Sequence, residues 1–352
     1  MRKSKEVEDN SKARKLSVAA LTGGMDVPSA RFRVRQYIQQ LDSYGVKVTE
    51  FPASLSAYPP QTHIVRPFWG IATLVSRIPS TLKSYSYDLT FLQREMFSTF
   101  KTLEPLTKRP RVLDVDDAIW MHRRGQFAAH LASQCEGIIC GNSFLAEQFR
   151  QWNSHVTMIP TAVDTDAFVP GSPVEEPIIG WSGTSGGFKY LYGIESALSH
   201  VLRELPGSKL RIVSDSLPSF RQVPLNKVEF IRWSPENEVS AIQGMAVGIM
   251  PLADSQWERG KCSFKMLTYM ACGIPVVVSP VGMNIEVLSH GRSGLAAKTI
   301  DDWVDALSSI LQDRKQRIKM GANGRQTVLQ KYSVNVLAPK LAETLLQLAE
   351  AS

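Results

Sequence analysis

The sequence lacks any apolar run long enough to cross a bilayer, and its first residues, MRKSKEVEDN, contain no apolar signal core. A spanning helix needs about 20 mostly apolar residues, so we expect a soluble or peripheral protein. Cysteine is also scarce. The four cysteines form no C-x-x-C pair and have no histidine at zinc-site spacing; they are Cys135, Cys140, Cys262 and Cys272. This pattern predicts a reduced, cytoplasmic protein without structural zinc.

The sequence has no strong excess of one charge either. Lys and Arg number 40 and Asp and Glu number 33, which gives a net charge of +7 over 352 residues. This balance favours phosphorylated ligands, or peripheral contact with an anionic membrane such as the inner face of the cell membrane. The basic residues are scattered and match no nucleic-acid motif, so nucleic acid is not an expected partner. The length fits two domains of moderate size.

The most informative stretch is Trp257–Glu286. Its apolar spacing predicts a helix over Lys261–Cys272, which ends at Gly273, and then a buried parallel strand over Ile274–Val278. On this helix Lys261, Lys265 and Thr268 share one side. Two ammonium groups beside free N–H donors suit a phosphate ligand, whereas a solvated lysine face is the alternative explanation.

Residues 15–165 are expected to form a first α/β domain, after a disordered leader at residues 1–14. The expected strands are Leu16–Leu21, Val46–Phe51, Asp88–Leu92, Arg111–Val115, Gly137–Asn142 and His155–Pro160. Arg31, near the start of the first helix, either contacts an anionic or sugar acceptor or belongs to an exposed basic face. Residues 52–87 form a long excursion whose aromatic pair, Phe68-Trp69, either lines an acceptor groove or packs in the core.

Acidic residues follow the fourth strand. Asp114 and Asp116 spell D-x-D, but Asp114 lies within the strand, so this tripeptide is a weak metal signal and we expect no metal site. Asp117 and His122 in the loop beyond are placed to orient an acceptor hydroxyl. The alternative is that Asp117 caps the next helix and His122 lies on the surface.

A second α/β alternation is expected over residues 178–333, after a proline-rich linker at 166–177. Its first strand, Ile178–Trp181, leads into the glycine-rich turn Gly183–Lys189, whose backbone N–H groups can approach phosphate. The chain ends in a long predicted helix, Val334–Ala349, with a leucine stripe that also fits a short dimeric coiled coil.

Several of these segments resemble family 4 glycosyltransferases of GT-B fold. Met270–Val277 (MACGIPVV) and Gly282–Glu286 match the family's C-terminal half, and residues 159–168 (IPTAVDTDAF) match its linker signature. The resemblance implies two Rossmann-like α/β domains facing a central cleft. It also implies that residues 334–352 cross back and pack on the first domain, and that Arg232-Trp233-Ser234 lies near the nucleotide base, although a core tryptophan is the alternative for Trp233.

The chain departs from the family at the donor site. The two family glutamates that contact the donor sugar and the ribose align with Gly260 and Thr268, and Glu258 is the candidate replacement for the first. The Arg and Lys that grip the donor diphosphate align with Thr184 and Lys189. We therefore expect Lys261 and Lys265 to supply the missing charge.

The resemblance implies a hexosyltransferase that uses UDP- or GDP-sugar and a sugar, glycan or lipid-linked hydroxyl acceptor, with retention at the anomeric carbon and no cofactor or metal. The candidate donor-binding residues are Gly183, Lys189, Lys261, Lys265, Thr268, Gly282, Asn284 and Glu286. The candidate catalytic residues are Asp117, His122 and Glu258, and the candidate acceptor residues are Arg31 and Asp116. Two alternatives stay open: a non-catalytic partner subunit, and a sugar-nucleotide epimerase or hydrolase.

Overall fold

The computed structural model describes residues 14–55, 60, 62–96, 102–121, 125–288 and 292–351. In this part of the chain the strands form two six-stranded sheets. The first sheet contains β1 (Leu16–Thr22), β2 (Val46–Pro52), β3 (Leu89–Gln93), β4 (Arg111–Val115), β5 (Gly137–Cys140) and β6 (Val156–Met158). The second contains β7 (Ile178–Ser182), β8 (Lys209–Ser214), β9 (Val228–Arg232), β10 (Val247–Met250), β11 (Val276–Val278) and β12 (Gly294–Ala296).

Helices connect the strands of both sheets. In the first half they are α1 (Pro28–Arg33), α2 (Ile38–Ser43), α3 (Arg66–Lys83), α4 (Gln126–Ser133) and α5 (Ser143–Arg150). In the second half they are α6 (Phe188–Gly193), α7 (Glu195–Glu204), α8 (Glu238–Gln243), α9 (Gln256–Arg259), α10 (Phe264–Ala271), α11 (Met283–Leu288), α12 (Ile300–Gln312), α13 (Arg314–Lys331) and α14 (Val334–Glu350).

Both sheets are parallel, with strand orders β2-β1-β3-β4-β5-β6 and β12-β11-β10-β7-β8-β9. The central strands are buried along their whole length, as continuous apolar runs require when helices cover both faces. The strand after Gly273 is shorter than predicted. Ile274 still donates its N–H to the carbonyl of Tyr269 in α10, 2.9 Å away, so pairing begins only at Val276.

The last helix returns to the first sheet. Val163 accepts a hydrogen bond from the backbone N–H of Val334 at 3.0 Å and donates its own to Tyr332 at 2.8 Å, which fixes the start of α14 beside the first half. The buried leucines of α14, Leu337, Leu341 and Leu345, then pack in one cluster with Val18 and other residues of the first sheet. The leucine stripe is therefore used within the chain.

Among the described residues, no helix combines the length and apolarity that crossing a bilayer requires. All four cysteines are buried and free of disulfide bonds.

Candidate functional site

The two sheets meet through the loops at the carboxyl ends of their strands. Arg31 of α1 bonds Glu238 of α8 across the junction, with Nη1 and Oε2 2.8 Å apart. Asn142, after β5, donates from its side-chain amide to the carbonyls of Arg259 and Lys261 at 3.2 and 3.1 Å. Ligands of open parallel sheets bind at this end of the strands, so the junction is the candidate site.

A buried ion pair supports the first half of the junction. The Arg33 guanidinium contacts the Asp114 carboxylate at 2.5 to 3.2 Å, and both side chains are almost completely buried. Arg33 also donates to the carbonyl of Ile159 at 2.9 Å, close to the chain that leads into the second half. The Asp114 carboxylate is thus paired with the Arg33 guanidinium.

Arg94, at the end of β3, holds the next two carboxylates. Its Nε lies 2.5 Å from Asp116 Oδ1 and its Nη2 lies 2.7 Å from Asp117 Oδ2. Burial raises the pKa of Asp116, but the charge and hydrogen bond of Arg94, together with the Arg33 charge and a backbone hydrogen bond, lower that pKa overall. Arg94 adopts φ +59, a conformation that costs energy for a residue with a Cβ. No periodic pattern in the sequence identifies Arg94 as a site residue. Within the described ranges, no three His, Cys, Asp or Glu side chains gather to form a metal centre.

Lys261 joins this acidic pair from the second half. Its Nζ lies 3.7 Å from Asp117 Oδ1 and 5.4 Å from the centre of the Trp257 ring. Asp117 therefore lies between Arg94 and Lys261, on the junction. The other candidate of this loop, His122, lies outside the described residues.

Lys261 is not part of a helix, which corrects the predicted span Lys261–Cys272. Helix α10 begins at Phe264, because Ser263 adopts a left-handed conformation with φ +51. The Ser263 hydroxyl donates to Asn284 Oδ1 at 2.7 Å, and the Asn284 amide donates to the Ser279 carbonyl at 2.9 Å. Asn284 is fully buried, and both polar atoms of its side chain form hydrogen bonds within this turn. The structure thus places Asn284 beneath the candidate site, where it holds the turn between Lys261 and Lys265.

Lys265, on the first turn of α10, lies against the glycine turn after β7. Its Nζ sits 4.3 Å from the centre of the Trp181 ring, and a Cβ at Gly183 would come within 2.3 Å of it. Gly183 is therefore the residue that lets this ammonium reach the turn. Burial, and secondarily the nearby charge of Lys261, lowers the pKa of Lys265 to about 7. No carboxylate among the described residues forms a salt bridge with it.

Glu258 of α9 faces the same turn. It is 3% exposed; the hydroxyls of Ser255 and Tyr190 donate to its carboxylate, and Lys189 Nζ lies 3.5 Å away. Burial raises the pKa of Glu258, but the hydrogen bonds from Ser255 and Tyr190, together with a backbone hydrogen bond and the Lys189 charge, lower it overall. The carboxylate is therefore held ionised between the second-half helices.

The positions of the two family glutamates have clear local explanations. A Cβ at Gly260 would come within 2.9 Å of the backbone nitrogen of Ala118, so the two halves touch at this glycine. Thr268 is buried, and its hydroxyl donates to the carbonyl of Lys265 at 2.8 Å. The hydroxyl of Thr268 thus bonds within its own helix, and a contact of Thr268 with the donor stays a prediction.

The remaining candidates lie around this centre. Gly282 has φ +53, and a Cβ there would meet the Arg259 carbonyl at 2.8 Å, so only glycine fits. The Ser143 hydroxyl donates to Glu286 across the junction. Trp233, at the end of β9, is 40% exposed, so the interpretation as a core tryptophan is wrong. Asp215, which sequence reasoning missed, accepts hydrogen bonds from the backbone N–H and hydroxyl of Ser185 at 2.6 and 2.8 Å and so fixes the glycine turn.

Comparison with known proteins agrees with this architecture. The family model described as "Glycosyl transferases group 1" matches residues 177–313. A GDP-mannose-dependent alpha-(1-6)-phosphatidylinositol monomannoside mannosyltransferase from Mycobacterium tuberculosis is 35% identical over 77 residues, which cover 21% of this chain and 20% of the relative. Against other curated relatives the chain spans about half of their length.

Solved structures match over nearly the whole chain. Sucrose-phosphate synthase from Thermosynechococcus elongatus superposes with a TM-score of 0.70 at 17% identity, covering 96% of this chain and 100% of that one. Anabaena HepE in complex with UDP and glucose superposes with a TM-score of 0.69 at 15% identity. The match covers 94% of this chain and 100% of that one. The predicted two-domain architecture with its returning C-terminal helix is confirmed. The chain therefore has the GT-B fold, and its residues 177–313 resemble the family of group 1 glycosyl transferases.

Proposed function

We propose that this protein transfers a hexosyl group from a nucleotide-diphosphate sugar to a hydroxyl acceptor, in polysaccharide or glycolipid assembly in the cytoplasm. The donor is a UDP- or GDP-sugar. HepE, a structural neighbour, was solved with UDP and glucose, and the mycobacterial relative is named as GDP-mannose-dependent. The acceptor is a sugar, a glycan or a lipid-linked saccharide.

One observation carries this proposal: the Lys265 ammonium lies against the glycine turn with no acidic side chain to neutralise it among the described residues. A half-buried cation at the carboxyl end of parallel strands is costly unless an anion binds there. The lowered pKa of Lys265 reflects this cost. Burial lowers the pKa most, and the positive charge of Lys261 lowers it further. A nucleoside diphosphate bound over Gly183 would supply the missing negative charge.

The reaction places most new charge on the leaving diphosphate. The bond between the anomeric carbon and the β-phosphate oxygen breaks, and a bond from the acceptor oxygen to that carbon forms on the same face. The departing diphosphate takes up the acceptor proton, so no separate base is required. Lys189, Lys261 and Lys265 stabilise the departing anion, because cations held in place where the negative charge develops lower the energy of the transition state. No metal or cofactor enters the scheme.

Asp117, His122 and Glu258 are proposed to orient the reacting groups. Asp117 lies between Arg94 and Lys261, so a diphosphate that draws Lys261 away would free the Oδ1 oxygen of Asp117 for the acceptor hydroxyl, while Arg94 still holds Oδ2. Glu258 stands close to the glycine turn through Lys189 and Tyr190, where it replaces the family glutamate lost at Gly260. Arg31 and Asp116, in the first half of the chain, are the proposed acceptor contacts.

The test is calorimetric titration of UDP and GDP into the wild type and into Lys261→Ala and Lys265→Met. We expect both substitutions to weaken the binding of UDP and GDP by about tenfold or more, since a charged hydrogen bond contributes about 1.5–3 kcal/mol. Binding of the nucleoside without phosphate should stay unchanged. Lys209→Met, an exposed lysine at the start of β8, is the matched control. Equal diphosphate affinity in all four proteins would refute the assignment of the donor site.

Transfer itself needs a second experiment. Incubation with labelled UDP- and GDP-hexoses and an extract of glycan and lipid-linked acceptors should yield labelled product with retained anomeric configuration. Donor binding without any product would favour the non-catalytic partner subunit. Free sugar or an epimerised donor as the product would favour a hydrolase or an epimerase.

A further inference from the structure

Arg94, the residue that follows β3, has a backbone conformation that is unfavourable for its type. Its φ of +59 lies in the left-handed region, which disfavours any residue with a Cβ. The backbone N–H of Arg94 donates to the carbonyl of Asp114 at 2.9 Å, so the turn begins where β3 ends beside β4. Conformations of this kind concentrate at functional sites, where surrounding contacts hold them. The conformation therefore indicates that the Arg94 side chain has a function.

The guanidinium of Arg94 is fixed by two acids and keeps one nitrogen unused. Its Nε donates to Asp116 and its Nη2 donates to Asp117. Within the described part of the chain, no hydrogen bond uses its Nη1. The Arg94 side chain is 28% exposed, whereas the Arg33 side chain is 2% exposed and has all three nitrogens bonded. Arg94 thus holds two spare N–H donors rigidly beside the junction.

The charges around Arg94 limit the kind of ligand that these donors can meet. Arg94 and Lys261 supply two positive charges, and Asp116 and Asp117 supply two negative ones. This balanced cluster has no net attraction for an anion. Once Lys261 contacts the diphosphate, one positive and two negative charges remain, and they repel an anionic acceptor. The group that suits the cluster is therefore uncharged.

Arg94 and Asp117 offer complementary hydrogen bonds side by side. Oδ1 of Asp117 can accept from a hydroxyl when Lys261 contacts the diphosphate, and Nη1 of Arg94 can donate to a hydroxyl oxygen. The two do not suit the same hydroxyl, because a cationic donor would draw electron density from the oxygen that attacks the anomeric carbon. Arg94 suits the hydroxyl next to the reacting one.

We propose that Arg94 binds the acceptor, and that the acceptor presents an uncharged vicinal diol of a sugar ring to this cluster. Asp117 accepts a hydrogen bond from the hydroxyl that reacts, and Arg94 donates one to the neighbouring oxygen. The inference rests on the proposed function and names the chemical class of its acceptor.

Binding of neutral sugars in saturating UDP or GDP tests this proposal. The probes are methyl α-D-glucopyranoside, methyl α-D-mannopyranoside and their monodeoxy derivatives, followed by saturation-transfer NMR at millimolar concentration. The wild type should bind a parent sugar, and removal of either hydroxyl of one adjacent pair should weaken binding by about tenfold. Arg94→Lys keeps the charge but lacks the planar fork that reaches both acids and the sugar. In this variant, one of those two deoxy sugars should bind as well as its parent.

Arg35→Lys is the matched control. The Arg35 side chain is 26% exposed, and its Nε and Nη2 bond the Glu50 carboxylate at 2.8 and 2.7 Å. Its Nη1 is not spare, since it donates to the Met25 carbonyl at 3.2 Å. Arg35→Lys should therefore keep the wild-type preference among the deoxy sugars. Circular dichroism establishes that both variants are folded, and Arg94→Gln replaces Arg94→Lys if the latter is not.

Three results would overturn the proposal in a wild type that binds UDP or GDP. The first is the absence of binding to either parent sugar. The second is an unchanged preference among the deoxy sugars in the folded Arg94 variant. The third is tighter binding of methyl α-D-glucuronide, an anionic sugar, than of the neutral glucoside. Failure of the proposed function is distinct, because calorimetry would then show that the wild type binds neither UDP nor GDP.

Discussion

Raising the pH from about 7 to about 9 should weaken the binding of UDP or GDP, because Lys265 would lose its proton in the free protein. Its pKa is lowered from an ordinary 10.5 to about 7, first by burial and then by the Lys261 charge. A bound diphosphate reverses the effect, since its negative charge favours the ammonium form. Above pH 7 the protein must therefore take up a proton when the diphosphate binds.

The magnitude follows from this linkage. Between the pKa of the free protein and that of the complex, the affinity should fall by up to about tenfold for each pH unit. Lys261→Ala removes the neighbouring charge that helps to lower the pKa of Lys265, so the affinity should begin to fall at a higher pH. Without ligand, the same group makes the folded protein more stable as the pH rises from about 7 towards 10.5, because the unfolded chain holds the proton more tightly in that window.

Titration calorimetry in two buffers of different ionisation enthalpy measures the proton uptake directly. At about pH 8 we expect nearly one proton to be taken up per diphosphate bound by the wild type and by the control Lys209→Met, and almost none by Lys265→Met. A pH-independent affinity in the wild type, or the same pH slope in Lys265→Met, would refute the placement of the diphosphate at Lys265.

Three further predictions concern other parts of the site. Glu258→Gln should lower turnover by about 10- to 100-fold with unchanged diphosphate affinity, because the amide loses the charge that Tyr190 and Lys189 contact; unchanged turnover would leave Glu258 a structural role. Turnover should persist in EDTA, since arginines occupy the carboxylates of the D-x-D segment, and loss restored by manganese or magnesium would contradict this. Gly282→Ala should lower the free energy of unfolding in urea by about 2 kcal/mol or more. The control Gly207→Ala, at a glycine with positive φ and free space around it, should lower it by about 1 kcal/mol. Equal losses would show that contact with Arg259 does not contribute to the cost.

The sequence by itself determined the two parallel sheets, whereas the return of the last helix to the first domain was implied by the family resemblance. The strands are short apolar runs bounded by glycine and proline, and such runs form buried parallel strands wherever helices cover them. Gly273 and Gly282 marked chain turns correctly, since both have positive φ. The leucine stripe of the last helix likewise needed only local periodicity to be recognised.

Only the tertiary structure decided how the site is assembled. Lys261 leaves the helix because Ser263 bonds Asn284, 21 residues further along the chain. Arg94 joins the acidic pair from a different strand, 22 and 23 residues before it. Bonds of this kind depend on which strands lie side by side, so they leave no periodic pattern in the sequence.

Helix α3, whose apolar side is exposed, shows the same limit. Residues 52–87 were expected to form a long excursion, and α3 within it was not predicted; an amphipathic helix normally buries its apolar side. Here Arg77 bonds the carbonyls of Thr22 and Phe51, 55 and 26 residues before it, and turns the polar side inward. The direction of an amphipathic helix is set by what the rest of the fold offers its polar groups, and that is known only when the strands are in place.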